Sequence, residues 1–252
     1  MMRITNYLFL VAVLCMAASC TSYKSFVNFN EGPSIPTEAQ AITNFKPLKI
    51  QPNDILQINV ISPDPVSVAP FNLSTDGGGG AAGYLVNADG TIDFPTIGKI
   101  ELIGLEIEEV KVKIAKLMES YFTQPPIIRV RLSNFKVVVN GEIGSPGTFR
   151  VANDRLTVFD AITLAGDFTP YSDRDSVLII REQDNMRSFA YVDFSSPEIF
   201  NSEYFYLQQN DVLYIRPTKG IVNSVRDPAS RFLPWISAIV SITAILISLN
   251  RI

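Results

Sequence analysis

The chain has 252 residues, of which 47% are hydrophobic and only 18% charged, and its formal net charge is −4. That length suits two modest domains or one large one, and the acidic balance, with no run of Lys or Arg, argues against a nucleic-acid binder. Histidine is absent, which removes Ser-His-Asp triads, Cys-His pairs and His-ligated zinc, while a Ser-Lys or paired-carboxylate enzyme stays open.

Residues 1–6 carry one positive charge, Arg3, and residues 7–18 are apolar. Twelve residues are too few to span a bilayer comfortably and match the core of a signal peptide. The run Ala17-Ala18-Ser19-Cys20 resembles a bacterial lipoprotein cleavage site, although Ala17 stands where Leu is commonest. The resemblance implies that residues 1–19 are removed and that the Cys20 sulfur is acylated; an ordinary signal peptide is the alternative. Thr21 follows Cys20, so the Asp that retains lipoproteins in the inner membrane of enteric bacteria is missing. Cys15 and Cys20 are the only cysteines, too close to the N-terminus to staple the body or to build a metal cluster. Residues 20–45 are polar, with Pro33 and Pro36, and read as a tether.

Residues 46–134 read as a first unit. Pro52-Asn53-Asp54 supplies a turn, and Ile58 and Val60 lie on an alternating strand. The Gly-rich stretch 76–80 lacks the Lys and Ser/Thr of a phosphate-cradling loop. Residues 84–94 read as a hairpin turning at 87–90, with a break at 95–98, a short strand at 99–102 and a second break at Gly104. The clearest soluble helix covers 106–122: Ile107, Val110, Ile114, Leu117 and Tyr121 recur at three- and four-residue spacing, and Glu108 and Glu109 suit the positive first turn. Pro125 and Pro126 stop it, and 127–132 alternates as a strand.

Residues 135–217 read as a second unit. A strand over 136–140 precedes a turn-rich run at 141–147. Thr157 is placed to cap a helix with Asp160 three residues on, Val158, Ile162 and Ala165 form its buried side, and Gly166 ends it. Strands follow at 177–181 and 187–194. The run Gln208-Gln-Asn-Asp-Val-Leu-Tyr-Ile215 echoes Gln51-Pro-Asn-Asp-Ile-Leu-Gln-Ile58, as one turn-into-strand solution used twice.

A linker at 218–231 leads to eighteen uncharged residues, 232–249. As a helix they would extend about 27 Å, close to the ~30 Å hydrocarbon core of a bilayer. A membrane helix over 232–250 would be anchored by Arg231, Trp235 and Arg251. Ser237, Ser241, Ala244 and Ser248 fall within an arc of about 60°, opposite Trp235, Ile239, Ile242, Leu246 and Leu249. Such a helix could self-associate through its small-residue face, serve as a simple anchor, or sit in a soluble core.

The order of these pieces resembles the polysaccharide export (Wza-like) family of outer-membrane lipoproteins. Its first-domain run "Asp-Gly-x-Ile-x-x-Pro-x-x-Gly" is matched by Asp89, Gly90, Ile92, Pro95 and Gly98, followed by Gly104-Leu105 and the helix. Its soluble ligand-binding β-grasp (SLBB) signature is matched by Gly141, Glu142, Pro146 and Gly147. Its "Ala-Gly-Gly" appears as Ala165-Gly166-Asp167 and its "Gly-Asp-Val" as Asn210-Asp211-Val212. Glu106 stands where the family often has a Thr cap, Asp167 replaces a Gly, and only one β-grasp unit fits where the best-known members have more. The fold implied is α+β: a polysaccharide-export domain, one SLBB β-grasp domain and a C-terminal transmembrane helix.

The resemblance further implies a homo-oligomeric ring, an octamer in the family, in the outer membrane. It would export a capsule or exopolysaccharide alongside an inner-membrane chain-length regulator or tyrosine kinase. A lipid-tethered periplasmic scaffold, or a sugar-binding module without a pore, is the alternative. The motif glycines and prolines are most simply turn formers. Tyr171, Tyr204 and Phe205 could stack on sugars if exposed, though core packing explains them more simply. A carboxylate-pair glycosidase using Asp89 and Asp93 lacks an implied cleft. No catalytic residue, cofactor or metal site is expected.

Overall fold

Alternating apolar residues leave one face of a strand to be covered, and the chain covers two such sheets. In the computed structural model the described residues are 27–31, 35, 37–72, 83–183, 186–220, 233–238 and 240–242. The leader 1–19 and the loop 76–80 lie outside them.

In the first unit, β1 (Ile55–Ile61) is central in a three-stranded sheet, flanked antiparallel by β2 (Tyr84–Leu85) and β5 (Ile127–Leu132). Leu56, Ile58 and Val60 of β1 and Ile128, Val130 and Leu132 of β5 point into the core. A short helix, α1 (Pro65–Val68), follows β1 and is capped by the Asp64 carboxylate on the Val66 amide.

The hairpin expected over 84–94 is different in the structure. Residues 87–90 do turn, with Gly90 N donating to Asn87 O. The strands that pair, however, are β3 (Thr91–Phe94) and β4 (Gly98–Glu101), so the break expected at 95–98 is the real hairpin turn. Thr96 and Gly98 both take positive φ there. β2 pairs with β1 instead, because that register buries Tyr84 against Phe94 and lets its hydroxyl donate to Phe71 O.

α2 (Ile107–Met118) packs on β5. Its first turn is closed by the Glu109 carboxylate accepting from Glu106 N. Ile107, Val110, Ile114 and Met118 are buried, whereas Leu117 and Tyr121 are exposed. The expected stripe therefore drifted by one position: at 3.6 residues per turn the face through 107 and 114 continues to 118. Tyr121 sits in a 3-10 turn and meets the Phe71 ring edge-on.

The second unit is a five-stranded mixed sheet of order β7-β6-β10-β8-β9. The strands are β6 (Lys136–Gly141), β7 (Gly147–Arg150), β8 (Val177–Gln183), β9 (Met186–Val192) and β10 (Val212–Ile215). β6 and β10 are parallel at its centre and every other pair is antiparallel. α3 (Val158–Leu164) covers one face, its Thr157–Asp160 capping box complete and Val158, Ala161, Ile162 and Ala165 buried.

Part of the expected tether is packed. Phe29 N donates to Phe194 O, Glu31 N donates to Ser195 O, and the Phe29 ring stacks on Phe200 at 5.3 Å and meets Phe159 at 5.6 Å. Farther on, Asn44 donates to the carbonyls of Phe200 and Ser202. Aromatic burial outweighs the flexibility that the composition suggested.

Candidate functional site

The sequence runs singled out above sit at turns that lock one element to another. Gly141 closes β6 at φ +98°, where a Cβ would stand 2.0 Å from Ile215 O, so only glycine fits. Gly144 lies against the Gly166 carbonyl at 2.4 Å from where a Cβ would be. Gly144 N donates to Asp167 O and Ser145 N to Ala165 O. The Gly141–Gly147 turn thus clasps the end of α3. Glu142 fastens the next loop: its carboxylate accepts from Thr169 Oγ1 at 2.6 Å and its carbonyl from Ser172 Oγ. Pro146 leads into β7 at Gly147.

In the first unit the Asp89 carboxylate accepts from the amide and hydroxyl of Thr91. These bonds hold the carboxyl below its usual range. A general acid needs the opposite shift. Gly90 at φ +78° leaves room only for the Ile103 side chain. Pro95 and Gly98 shape the β3–β4 turn. Of the aromatics named as sugar platforms, Phe205 is buried, Tyr204 half-buried beneath the Arg181 guanidinium, and Tyr171 exposed.

The two echoing turns meet. Asn53 and Asn210 both adopt the left-handed conformation, at φ 69° and 66°. The next residue in each, Asp54 or Asp211, accepts the amide three residues back, Gln51 or Gln208, at 2.8 Å. Gln209 of the second turn then reaches across to the first. Its Nε2 donates to Asp54 Oδ1 at 3.4 Å and to Asn134 O at 3.0 Å, and its Oε1 accepts from Lys136 N. Asn134 completes the joint, accepting from Ile55 N and donating to Asn53 O.

The two carboxylates fare differently. Arg181 grips Asp211 with two bonds of 2.9 and 2.7 Å, opposing the upward push of burial. Asp54, only 1% exposed, has no such cation among the described residues, and burial raises it to about 6.

A cleft of about 870 Å³ opens beside this joint, where Lys49, Gln51 and Ile103 face Glu182, Met186 and Arg187 at the tip of the β8–β9 hairpin. Among the described residues no group of His, Cys, Asp and Glu could hold a metal ion.

At the C-terminus, residues 233–238 and 240–242 are helical. Leu233, Trp235, Ile236, Val240 and Ile242 are exposed. Among the described residues no helix is long and apolar enough to cross a membrane. The rest of 232–250 lies outside them, as do Cys20, Arg231, Ala244, Ser248 and Arg251. Ser237 Oγ donates to Pro234 O and Ser241 Oγ to Ser237 O, each at 2.9 Å. Both hydroxyls are satisfied within their own helix.

Sequence reasoning missed Phe189, Tyr191 and Tyr214, exposed on the uncovered sheet face. The alternation over 186–192 was visible, but alternation does not say which side faces water.

Residues 44–133, which span β1 to β5, match the family model described as polysaccharide biosynthesis/export protein. A curated relative from Ralstonia nicotianae, named EPS I polysaccharide export outer membrane protein EpsA, is 29% identical over 133 residues. That alignment covers 48% of this chain and 34% of the relative, so the match spans about a third of the relative's length.

Proposed function

We propose that this chain, whose residues 44–133 match the model of the polysaccharide biosynthesis/export family, is a transport protein rather than an enzyme and a subunit of an outer-membrane polysaccharide export channel. The family match over 44–133 is the observation that carries the proposal. The strand order of the second unit, with a parallel central pair and one helix on a single face, supports reading 135–217 as an SLBB β-grasp domain. Cys20 would be the lipid attachment point, and the helix over 232–250 would cross the outer membrane, with copies gathered as a ring.

A membrane helix satisfies its own backbone hydrogen bonds, so a barrel of helices needs no sheet closure. Several copies are required because one helix encloses nothing. The exposed apolar side chains at 233–242 support a helix that seeks lipid or other helices. An inner-membrane chain-length regulator or tyrosine kinase would hand over the polymer.

One observation favours a second reading. The Ser237 and Ser241 hydroxyls need no lumen water or neighbouring helix, which suits a simple anchor holding a periplasmic scaffold. Changing Ser237, Ser241 and Ser248 together to Leu discriminates: a scaffold tolerates it, and a channel loses assembly or conductance. Deleting 232–252 while the rest stays folded and membrane-associated should abolish surface polysaccharide. Normal export after that deletion would refute the channel.

A further inference from the structure

The register of the second unit aligns two rows of side chains on the sheet face opposite α3. One row runs Thr148, Val138, Val212, Ile180, Phe189. The next runs Asn140, Tyr214, Leu178, Tyr191. Phe189 and Tyr191 are 61% and 62% exposed, and Tyr214 is 38% exposed. At one end of this face Lys136 and Arg150 stand directly opposite each other on β6 and β7, both exposed.

Like charges in that position repel across about 5 Å, and a lone domain gains nothing from placing them there. Among the described residues neither cation has a carboxylate partner. Of the acids around the face, Glu182 pairs with Arg187 and Asp173 with Arg216, while Asp193, bonded to the amide and hydroxyl of Ser195, crowds with Asp173, Asp175 and Glu31 at the far, Tyr191 end. Positive charge is therefore in surplus at the Lys136–Arg150 end.

We propose that this open face binds a segment of acidic polysaccharide. The inference deepens the export reading and rests on it. A pyranose ring has an apolar C–H face and a hydroxyl edge, and the sheet presents matching groups in alternation. Phe189 and Tyr191 lie about 7 Å apart along one strand, and Tyr214 lies about 10 Å from Tyr191 across two. The three rings take C–H faces, while Asn140 and the tyrosine hydroxyls take hydroxyls. Lys136 and Arg150 take the carboxylates or phosphates of an anionic repeat, Arg150 with its two-pronged fork. The Arg216 guanidinium, 5.7 Å from the Tyr191 ring, steadies that ring. A second copy of the chain is the competing occupant, but it would leave the two facing cations unanswered unless it brought its own acids.

The test uses the full-length protein in detergent, with polygalacturonate as acidic probe and dextran as neutral probe. Binding is followed by calorimetry and assembly by sedimentation. Polygalacturonate should bind, dextran should not, and 0.5 M salt should weaken binding, as screening within about one Debye length demands. Lys136→Glu with Arg150→Glu, and separately Phe189→Ala with Tyr191→Ala, should each cut affinity at least tenfold. Thermal melting should be unchanged, since all four side chains are exposed.

Equal binding of both polymers, or no binding of either by a protein that cells still require for export, overturns this proposal and leaves the export reading standing. If the aromatic pair instead dissolves the assembly and leaves polymer binding intact, the face belongs to a second copy. Polygalacturonate binding by a protein whose loss leaves export normal would refute the export reading, not the site.

Discussion

Replacing Asp54 by asparagine should flatten the pH dependence of stability. The Asp54 carboxyl is held at about 6 against an ordinary 3.8 because it is buried with only the Gln51 amide and the Gln209 side chain as partners. The folded chain therefore binds the proton more tightly than the unfolded chain. Stability is greatest below pH ~4 as far as this group is concerned, falls as pH rises from 4 to 6, and levels off above. At 1.36 kcal/mol per unit, the cost of the buried charge at pH 7 is on the order of 3 kcal/mol.

Asparagine removes that cost. Its oxygen still accepts from Gln51 N, but its amide faces Gln209 Nε2 as a second donor, a loss of about 1 kcal/mol. Asp54→Asn should thus be slightly less stable than the parent at pH 4 and more stable by about 1–2 kcal/mol at pH 7. Asp175 and Asp211, also raised, and Asp89, lowered, titrate in both proteins and cancel in the difference. Urea unfolding at pH 4, 5, 6 and 7.5 supplies the measurement. Parallel curves for the two proteins would mean that water reaches Asp54 and that the joint is not the dry contact described.

Gly141→Ala should cost at least ~3 kcal/mol, because a methyl group at φ +98° meets Ile215 O at 2.0 Å; a melting point within a degree of the parent would show that β6 and β10 can part freely. Asp167→Gly should add about 0.5–1 kcal/mol, since Asp167 sits at φ 63° where glycine is unstrained. A loss in that variant would show that the Asp167 bond to Phe168 N outweighs backbone strain. Phe29→Ala should lower stability by about 2 kcal/mol and expose the Phe194 region to hydrogen exchange. Unchanged protection there would show that the packed N-terminal segment contributes no restraint.

Local structure was readable wherever a short-range rule settles it. The Thr157–Asp160 cap, the alternation of Ile127 to Leu132 and the first three turns of α2 all follow from spacings of two to four residues. So did the identity of the two Asn-Asp turns, since the same four atoms close each of them. The short apolar stretch before Cys20 and the uncharged run at 232–249 are legible as sequence features for the same reason: they are continuous in the chain.

What the tertiary structure decided is which pieces meet. β2 joined β1 rather than β3 because pairing with Ile55 and Leu56 leaves the Tyr84 ring free to pack on Phe94 of β3 and its hydroxyl to donate to Phe71 O. Gln209 meets Asp54 across 155 residues, and Lys136 faces Arg150 only because β6 and β7 share one register. The rings of Phe189, Tyr191 and Tyr214 lie outward only because α3 fills the other side of their sheet. Spacing along the chain tells which residues share a face of one element, but burial depends on what arrives from elsewhere, and a period of two looks the same whether its apolar side meets the core or the solvent.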